Sequence, residues 1–221
     1  MVAHVFERAR SAKGIDAVVV ATDSEKVFKA VKAAGGDAVM TAESHRNGTE
    51  RLAEVAQMAA YRGYDLFVNV QGDEPLVDPD SIGACVVATE TDGADIGTVA
   101  APCESDADFA NPNVVKVVVD RRGFALYFSR APIPHRRDPS TPNEGVAAPR
   151  RHVGLYGYRR EALLALAAAA PTPLESSEVL EQLRALECGM RIKVNDVAKA
   201  MLGVDTAEDL ERVRAILEAG S

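Results

Sequence analysis

The chain has 221 residues, a formal net charge of −8 and 47% hydrophobic residues. That length can bury one sizeable core. The acidic balance excludes a general nucleic-acid binder and leaves room for an anionic small substrate only where basic residues are focused locally. The longest apolar stretch, "ALLALAAAA" at 162–170, is far too short to span a bilayer, so no membrane partner is expected. The opening "MVAHVFERAR" lacks a signal peptide's apolar core. Three scattered cysteines form no CxxC pair and read as reduced core thiols of a cytoplasmic protein.

Strand-like and helix-like patterns alternate along the chain. "IDAVVVAT" (15–22) is β-branched and precedes a helix with Val27, Ala30, Val31 and Ala34 on one face. "GGDAVMT" (35–41) gives a turn and short strand, and from Thr49 the residues Leu52, Val55, Ala56 and Ala59 keep helical spacing. "YDLFVNVQ" (64–71) is the next strand; Asp78 then Pro79 read as an N-cap and first helical residue of a helix to about Val87. "DIGTVAAP" (95–102) is a strand, and "VVKVVVD" and "FALYFSR" form a hairpin turning at "DRRG".

The stretch 131–150 holds five of the eleven prolines with little apolar periodicity, and reads either as a functional lid or as disorder. "RHVGLYGYRRE" is a strand leading into an alanine-rich helix. "PLESSEVLEQLRALECG" predicts one helix ending at Gly189, "MRIKV" a strand, and the last helix runs to Gly220 with Thr206 and Asp209 at capping-box spacing. The alternation implies a single α/β domain over 1–221: a mostly parallel sheet, helices on both faces, and a small β excursion.

"NVQGDEP" (69–75) places an amide, a glycine and two carboxylates directly after an apolar strand. Asp73 lies just past that strand's carboxyl end, where open α/β sheets bind ligands. Asp205, past "MLGV" and before a helix, holds a matching place. Two carboxylates from separate strand ends suit Mg²⁺, which takes one or two carboxylates plus substrate phosphates. The alternative is that Asp205 only caps its helix and Asp73 only turns the chain.

The segments "TDSEKV" (22–27), "NGTERLAEV" (47–55), "VNVQGDEP" (68–75), "NPNVVKVVVD" (111–120), "ALYFSRAPIP" (125–134), "RHVGLYGYR" (151–159), "TPLESSEVLEQLR" (172–184) and "GVDTAEDLERVR" (203–214) occur in this order. Together, across nearly the whole chain, they resemble the 3-deoxy-manno-octulosonate cytidylyltransferase family. The resemblance implies the nucleotidyltransferase fold, commonly as a homodimer. It implies transfer of CMP from CTP to the anomeric hydroxyl of the sugar acid 3-deoxy-D-manno-octulosonate (Kdo) with release of pyrophosphate, for lipopolysaccharide synthesis.

By motif position, Asp73 and Asp205 would hold Mg²⁺ and Gln71 would lie beside nucleotide and sugar. Gly48, Thr49 and Arg51 would line the cytidine pocket, with Thr22 and Asp23 at its border. On the sugar side, Arg130 offers a planar fork for a carboxylate. His152 and Tyr156, four apart on a strand, share a face. Glu181 and Gln182 point away from their helix's apolar stripe towards sugar hydroxyls. Each of these four has a plainer reading as core or solvated surface.

The resemblance also implies a strand and a basic, glycine-rich phosphate-binding loop ahead of the helix in which Met1 stands. Their absence would remove a central strand and triphosphate ligands, so either the gene starts upstream or the chain is truncated. Two other readings stay open: a synthetase for another CMP-sugar acid, and an inactive nucleotide- or sugar-binding protein.

Overall fold

The computed structural model describes residues 1–138, 148–200, 203–204 and 206–219. In chain order the elements are α1 (Val2–Arg10), β1 (Val20–Thr22), α2 (Glu25–Ala33), β2 (Ala38–Met40), α3 (Gly48–Gln57), β3 (Leu66–Asn69), α4 (Pro79–Glu90), β4 (Ile96–Pro102), α5 (Asp106–Ala110), β5 (Lys116–Val119), β6 (Ala125–Ser129), β7 (Arg150–Arg159), α6 (Arg160–Ala168), α7 (Pro173–Glu178), α8 (Gln182–Glu187), β8 (Ile192–Asp196) and α9 (Ala207–Ala219).

Local signals set most boundaries. Ser24, Asn47, Asp78 and Ser105 accept backbone N–H groups at the starts of α2, α3, α4 and α5, satisfying donors that a helix's first turn leaves unpaired. The hairpin turns as expected: the Asp120 carboxylate accepts from Arg122 N and Phe124 N at 2.8 Å, and Gly123 takes φ 77°. At α9, Asp209 N donates to Thr206 Oγ1 and Thr206 N to Asp209 Oδ2, both at 3.1 Å, the reciprocal cap that the spacing indicates.

The sheet is mixed rather than mostly parallel. β7 runs antiparallel to β3, β4 and β5, and among the described residues only β1–β2 and β4–β8 pair in parallel. One six-stranded sheet has the order β6-β5-β7-β4-β8 with β3 also on β7; β1 and β2 form a separate pair. A cleft of about 730 Å³ lies between them, lined by Ala17–Ala21 on one side and Asp65–Gly72 on the other. The apolar run 15–22 is therefore strand only at Val20–Thr22, where β2 supplies hydrogen-bond partners.

Each face of the large sheet has its own core. Ile96, Tyr158 and Phe67 pack with Leu163, Leu166 and Leu183 on one side. Val99, Ala101 and Leu155 pack with Ile82 and Cys85 of α4 on the other, joined by Val5 and Ala9 of α1. Helix α4 lies unusually close to the sheet because Gly97 of β4 and Gly157 of β7 have no side chain. A Cβ at either would fall inside van der Waals contact of Thr89 Oγ1. Overfilling a packed site typically costs 1–3 kcal/mol. Gly157→Ala should lower stability by about 2 kcal/mol, roughly 4–8 °C in melting temperature, and Thr89→Ala should recover part of that loss. An unchanged melting temperature would show that α4 can lift freely.

Candidate functional site

The site begins with the unequal edges of β7. One edge pairs with β4 from Pro102↔Arg150 to Ile96↔Tyr158. The other is divided between β5, at Arg150 and Arg151, and β3, from Tyr156 to Arg159. Between these partners, at residues 152–155, the chain comes near the loop that follows β3: a Cβ on Gly154 would lie 4.0 Å from Glu74 Oε1. That loop closes through Glu74 N to Gln71 O at 3.3 Å and Val77 N to Glu74 O at 3.0 Å, leaving Asp73 exposed. The Asp73 carbonyl accepts from Val204 N at 2.9 Å. The chain preceding Asp205 is thus bonded to the Asp73 loop, while Asp205 itself lies outside the described residues.

The residues expected at the nucleotide gather less uniformly. Arg51 Nη2 donates to Asp23 Oδ2 at 2.7 Å and Nη1 to Thr41 Oγ1 at 2.6 Å, tying α3 to the ends of β1 and β2. Thr22 Oγ1 accepts from Ser24 N at 3.1 Å. Gly48 brings the start of α3 against β3: a Cβ there would meet Gln71 Nε2 at 3.0 Å and Asn69 Nδ2 at 3.1 Å. Thr49 turns elsewhere. It is buried, with Oγ1 3.4 Å from the Tyr158 hydroxyl, so its side chain belongs to the other group.

That other group is an aromatic wall. The rings of Phe128, His152, Tyr156 and Tyr158 follow one another at centroid distances of 5.1, 5.3 and 5.9 Å. His152 and Tyr156 do share a face, although β7 bulges between them: Val153 pairs with Val99 but Tyr156 with Thr98. Two extra residues preserve the alternation that one would reverse.

Glu181 and Gln182 differ from expectation. The predicted single helix is broken at Val179, in the left-handed region at φ 54° and ψ 52°. The break turns Glu181 and Gln182 inward, where they line a cavity of about 60 Å³ with Tyr156, Tyr158, Ile96 and Leu166. Desolvation raises the Glu181 carboxyl's pKa, against the opposing pull of Arg184 and Thr49.

Arg130 is already bonded within the chain. Its Nε donates to Glu178 O at 2.7 Å, Nη1 to Pro112 O at 3.1 Å and Nη2 to Val179 O at 3.3 Å. The fork anticipated for a sugar carboxylate grips three of the chain's own carbonyls. Around it, the Glu178 carboxylate accepts from Ser129 Oγ at 2.6 Å and Arg130 N at 2.9 Å. Lys116, completely buried, donates to Asn111 O, Val114 O and Arg130 O at 2.8, 2.5 and 2.6 Å. These bonds hold Val179 in a conformation unfavourable for a β-branched residue. Sequence reasoning missed Lys116, although one cation inside "VVKVVVD" was a signal. It also missed Thr98, a fully buried hydroxyl in an apolar strand, and Tyr158, on the same strand face as Tyr156.

Two predictions follow from these groups. Hydrogen bonds to charged donors contribute about 1.5–3 kcal/mol each, and lysine can replace only part of the fork. Arg130→Lys should lower unfolding stability by about 2–3 kcal/mol, measured by urea denaturation; wild-type stability would return the fork to a ligand role. Burial holds the His152 pKa at about 3, whereas an unfolded histidine titrates near 6.5. The unfolded state therefore takes up the proton first, and stability from this residue is lost as pH falls from about 6.5 towards 3, at most about 1.4 kcal/mol per unit. NMR titration should show a neutral His152 ring at pH 5; a midpoint near 6.5 would contradict this.

A family model described as cytidylyltransferase matches residues 1–192. The 3-deoxy-manno-octulosonate cytidylyltransferase of Syntrophotalea carbinolica is 49% identical over 222 residues, covering 98% of this chain and 88% of that protein. That of Anaeromyxobacter dehalogenans is 47% identical over 223 residues, covering 100% and 88%. A solved structure of CMP:2-keto-3-deoxy-manno-octonic acid synthetase complexed with CTP superposes with a TM-score of 0.91 at 39% identity, covering 100% of this chain and 88% of that one. 4-Diphosphocytidyl-2C-methyl-D-erythritol synthase from Anaerococcus prevotii, 12% identical with a TM-score of 0.63, shares the fold alone. With nearly half its residues shared across almost its whole length, the chain belongs to the 3-deoxy-manno-octulosonate cytidylyltransferase family.

Proposed function

We propose that this chain transfers the cytidylyl group of CTP to Kdo, forming CMP-Kdo and pyrophosphate. The observation that carries the reading is 47–49% identity, over essentially the full chain, with 3-deoxy-manno-octulosonate cytidylyltransferases. The geometry supports it. A strand-end acidic loop, the start of α3 and a wall of uncharged aromatic side chains meet along the open edge of β7.

In this reaction the sugar's anomeric hydroxyl attacks the α-phosphorus, the bond from that phosphorus to the bridging oxygen breaks, and pyrophosphate carries the electron pair away. Such a displacement depends on alignment and charge neutralisation more than on covalent participation by the protein. Gln71, held beside Gly48 and the end of β3, lies between the two groups and would touch both substrates. Arg51, paired with Asp23, would shape the cytidine side. His152, Tyr156, Glu181 and Gln182 would hold sugar hydroxyls. The Arg130 cation, though bonded to carbonyls, still contributes its field to that side.

The donor set suits Mg²⁺. Asp73 is an exposed carboxylate at a strand end, and Val204 bonds its loop to the segment carrying Asp205. These two aspartates would hold the ion, which supplies charge neutralisation for the phosphates and a lower hydroxyl pKa. Family membership is also what supports a homodimeric, cytoplasmic enzyme serving lipopolysaccharide synthesis. No helix among the described residues is long and apolar enough to cross a membrane.

The test is pyrophosphate release with CTP, Mg²⁺ and Kdo. Release should require Kdo, and N-acetylneuraminate should not replace it. Asp73→Asn and Asp205→Asn should each reduce the rate on the order of a hundredfold, comparable to removing one strong electrostatic contact. Asparagine caps helices about as well as aspartate, so Asp205→Asn should move the melting temperature by a few degrees at most. No Kdo-dependent release would overturn the reading, and near-normal turnover of Asp205→Asn would leave Asp205 as a cap.

A further inference from the structure

The bulge in β7 is closed by one side chain. Thr98 of β4 is fully buried, and its Oγ1 lies 2.7 Å from Leu155 O, 3.4 Å from Val153 O and 3.0 Å from His152 Nε2. A threonine hydroxyl carries one proton and can accept from other donors. A carbonyl oxygen only accepts, so the 2.7 Å contact with Leu155 O requires the Thr98 proton to lie between those atoms. Otherwise two oxygen lone pairs would face each other in a buried place. With that proton committed, the 3.0 Å contact to His152 can be a hydrogen bond only if Nε2 carries a proton and donates it.

A neutral imidazole has one protonated and one bare nitrogen, so Nδ1 is the bare one. It has no hydrogen-bond partner among the described residues. The residue is not fully buried, and its ring is held between Phe128 and Tyr156 on the face that continues to Glu181 and Gln182. A bare ring nitrogen held in place accepts from a hydroxyl. It cannot donate to a carboxylate or phosphate.

We propose that Thr98 is a positioning residue: it fixes His152 in its Nε2–H tautomer, so that Nδ1 accepts from a substrate hydroxyl and disfavours an anion at that place. The assignment rests on the proposed reaction, in which the sugar acid offers both hydroxyls and a carboxylate, and it directs the carboxylate away from His152. Desolvation of the ring supports it, because protonation would turn Nδ1 into a donor and burial opposes that change.

Nitrogen-15 NMR on the histidine-labelled full chain tests the tautomer directly, since protonated and bare ring nitrogens resonate far apart. Wild type and Thr98→Ser should both show a protonated Nε2 and a bare Nδ1, and adding Kdo should shift Nδ1 more than Nε2. Thr98→Val keeps the shape but removes the acceptor, and should give a mixture of tautomers. Its KM for Kdo should rise about tenfold, equivalent to about 1.4 kcal/mol, with the KM for CTP changed less than about twofold; Thr98→Ser should restore the Kdo value.

A wild-type ring protonated on Nδ1 would overturn the proposal whether or not the valine variant folds. So would an unchanged tautomer in Thr98→Val, or equal rises in both KM values. The expected tautomer without any Kdo-dependent pyrophosphate release would overturn the enzymatic reading, and with it the role given to Nδ1, while leaving the hydrogen-bond geometry intact.

Discussion

The two-sided pairing of β7 is the constraint on which the rest of the molecule depends. A ten-residue strand with β4 along one edge, and β5 then β3 along the other, joins the hairpin, the central strands and the acidic loop in one sheet. The interval between β5 and β3 leaves that edge of β7 without a strand partner where His152 and Gly154 stand, although His152 pairs with Ala100 of β4 on the other edge. His152 N reaches Val115 O at 2.8 Å, and on the β4 side the Thr98 hydroxyl takes the place of a regular ladder bond. A bulge that would otherwise strand a carbonyl becomes the support of the aromatic wall. The same strand accepts α4 at close range only because Gly157 and Gly97 lack side chains. Site and core therefore depend on the same register.

The distribution of cations follows a second rule. Although the chain is acidic, several basic side chains are turned to its own backbone. Lys116 and Arg130 bind carbonyls around the end of β6, Arg160 binds those of Tyr61, Tyr64 and Ala56 beside the Phe67 ring, and Arg184 pairs with Glu175. Each closes an irregular segment whose carbonyls have no ladder partner, and unsatisfied buried groups of that kind cost more than the bonds themselves gain. Such cations have fewer donors left for an anion, because three N–H groups of Arg130 and all three of Lys116 are already bonded to carbonyls. Their charge still acts through space, which distinguishes a residue that sets a local field from one that grips a substrate.

How much of this was legible depends on whether the cause was local. The strands at 64–71 and 95–102, the caps at Asp78 and Thr206 and the hairpin at 120–123 could be read because neighbouring residues determine them. The sheet's direction could not: β7 reverses relative to β3 and β4 through pairings 48 (Pro102↔Arg150) to 93 (Leu66↔Arg159) residues apart in the chain, which periodicity does not record. The break at Val179 was invisible for the same reason. A valine signals no left-handed turn, and the contacts that enforce it come from Arg130. That break also explains why Glu181 and Gln182, read from helical spacing as outward-facing, line an internal cavity. His152 and Tyr156 were placed on one face correctly, although the reason is a two-residue bulge rather than an unbroken strand.

The arrangement separates two kinds of chemistry along one strand edge. Past the end of β3 stands the exposed Asp73 carboxylate, suited to a cation and the phosphates it neutralises. A few residues away the wall is uncharged. Burial keeps the Tyr156 and Tyr158 phenols protonated and the His152 ring neutral, and it raises the Glu181 pKa. A sugar acid presents both demands, with hydroxyls that want fixed neutral partners and a reacting centre beside a polyanion. Desolvated neutral groups discriminate by leaving a polar atom unpaired when the wrong hydroxyl pattern arrives, at a cost larger than the value of a matched bond. Mobile charged side chains would bind many anions about equally well. In the proposed reaction the uncharged wall would serve selectivity and the acidic loop the phosphates, and β7 relates the two because it carries the wall and pairs with β3, which leads into that loop.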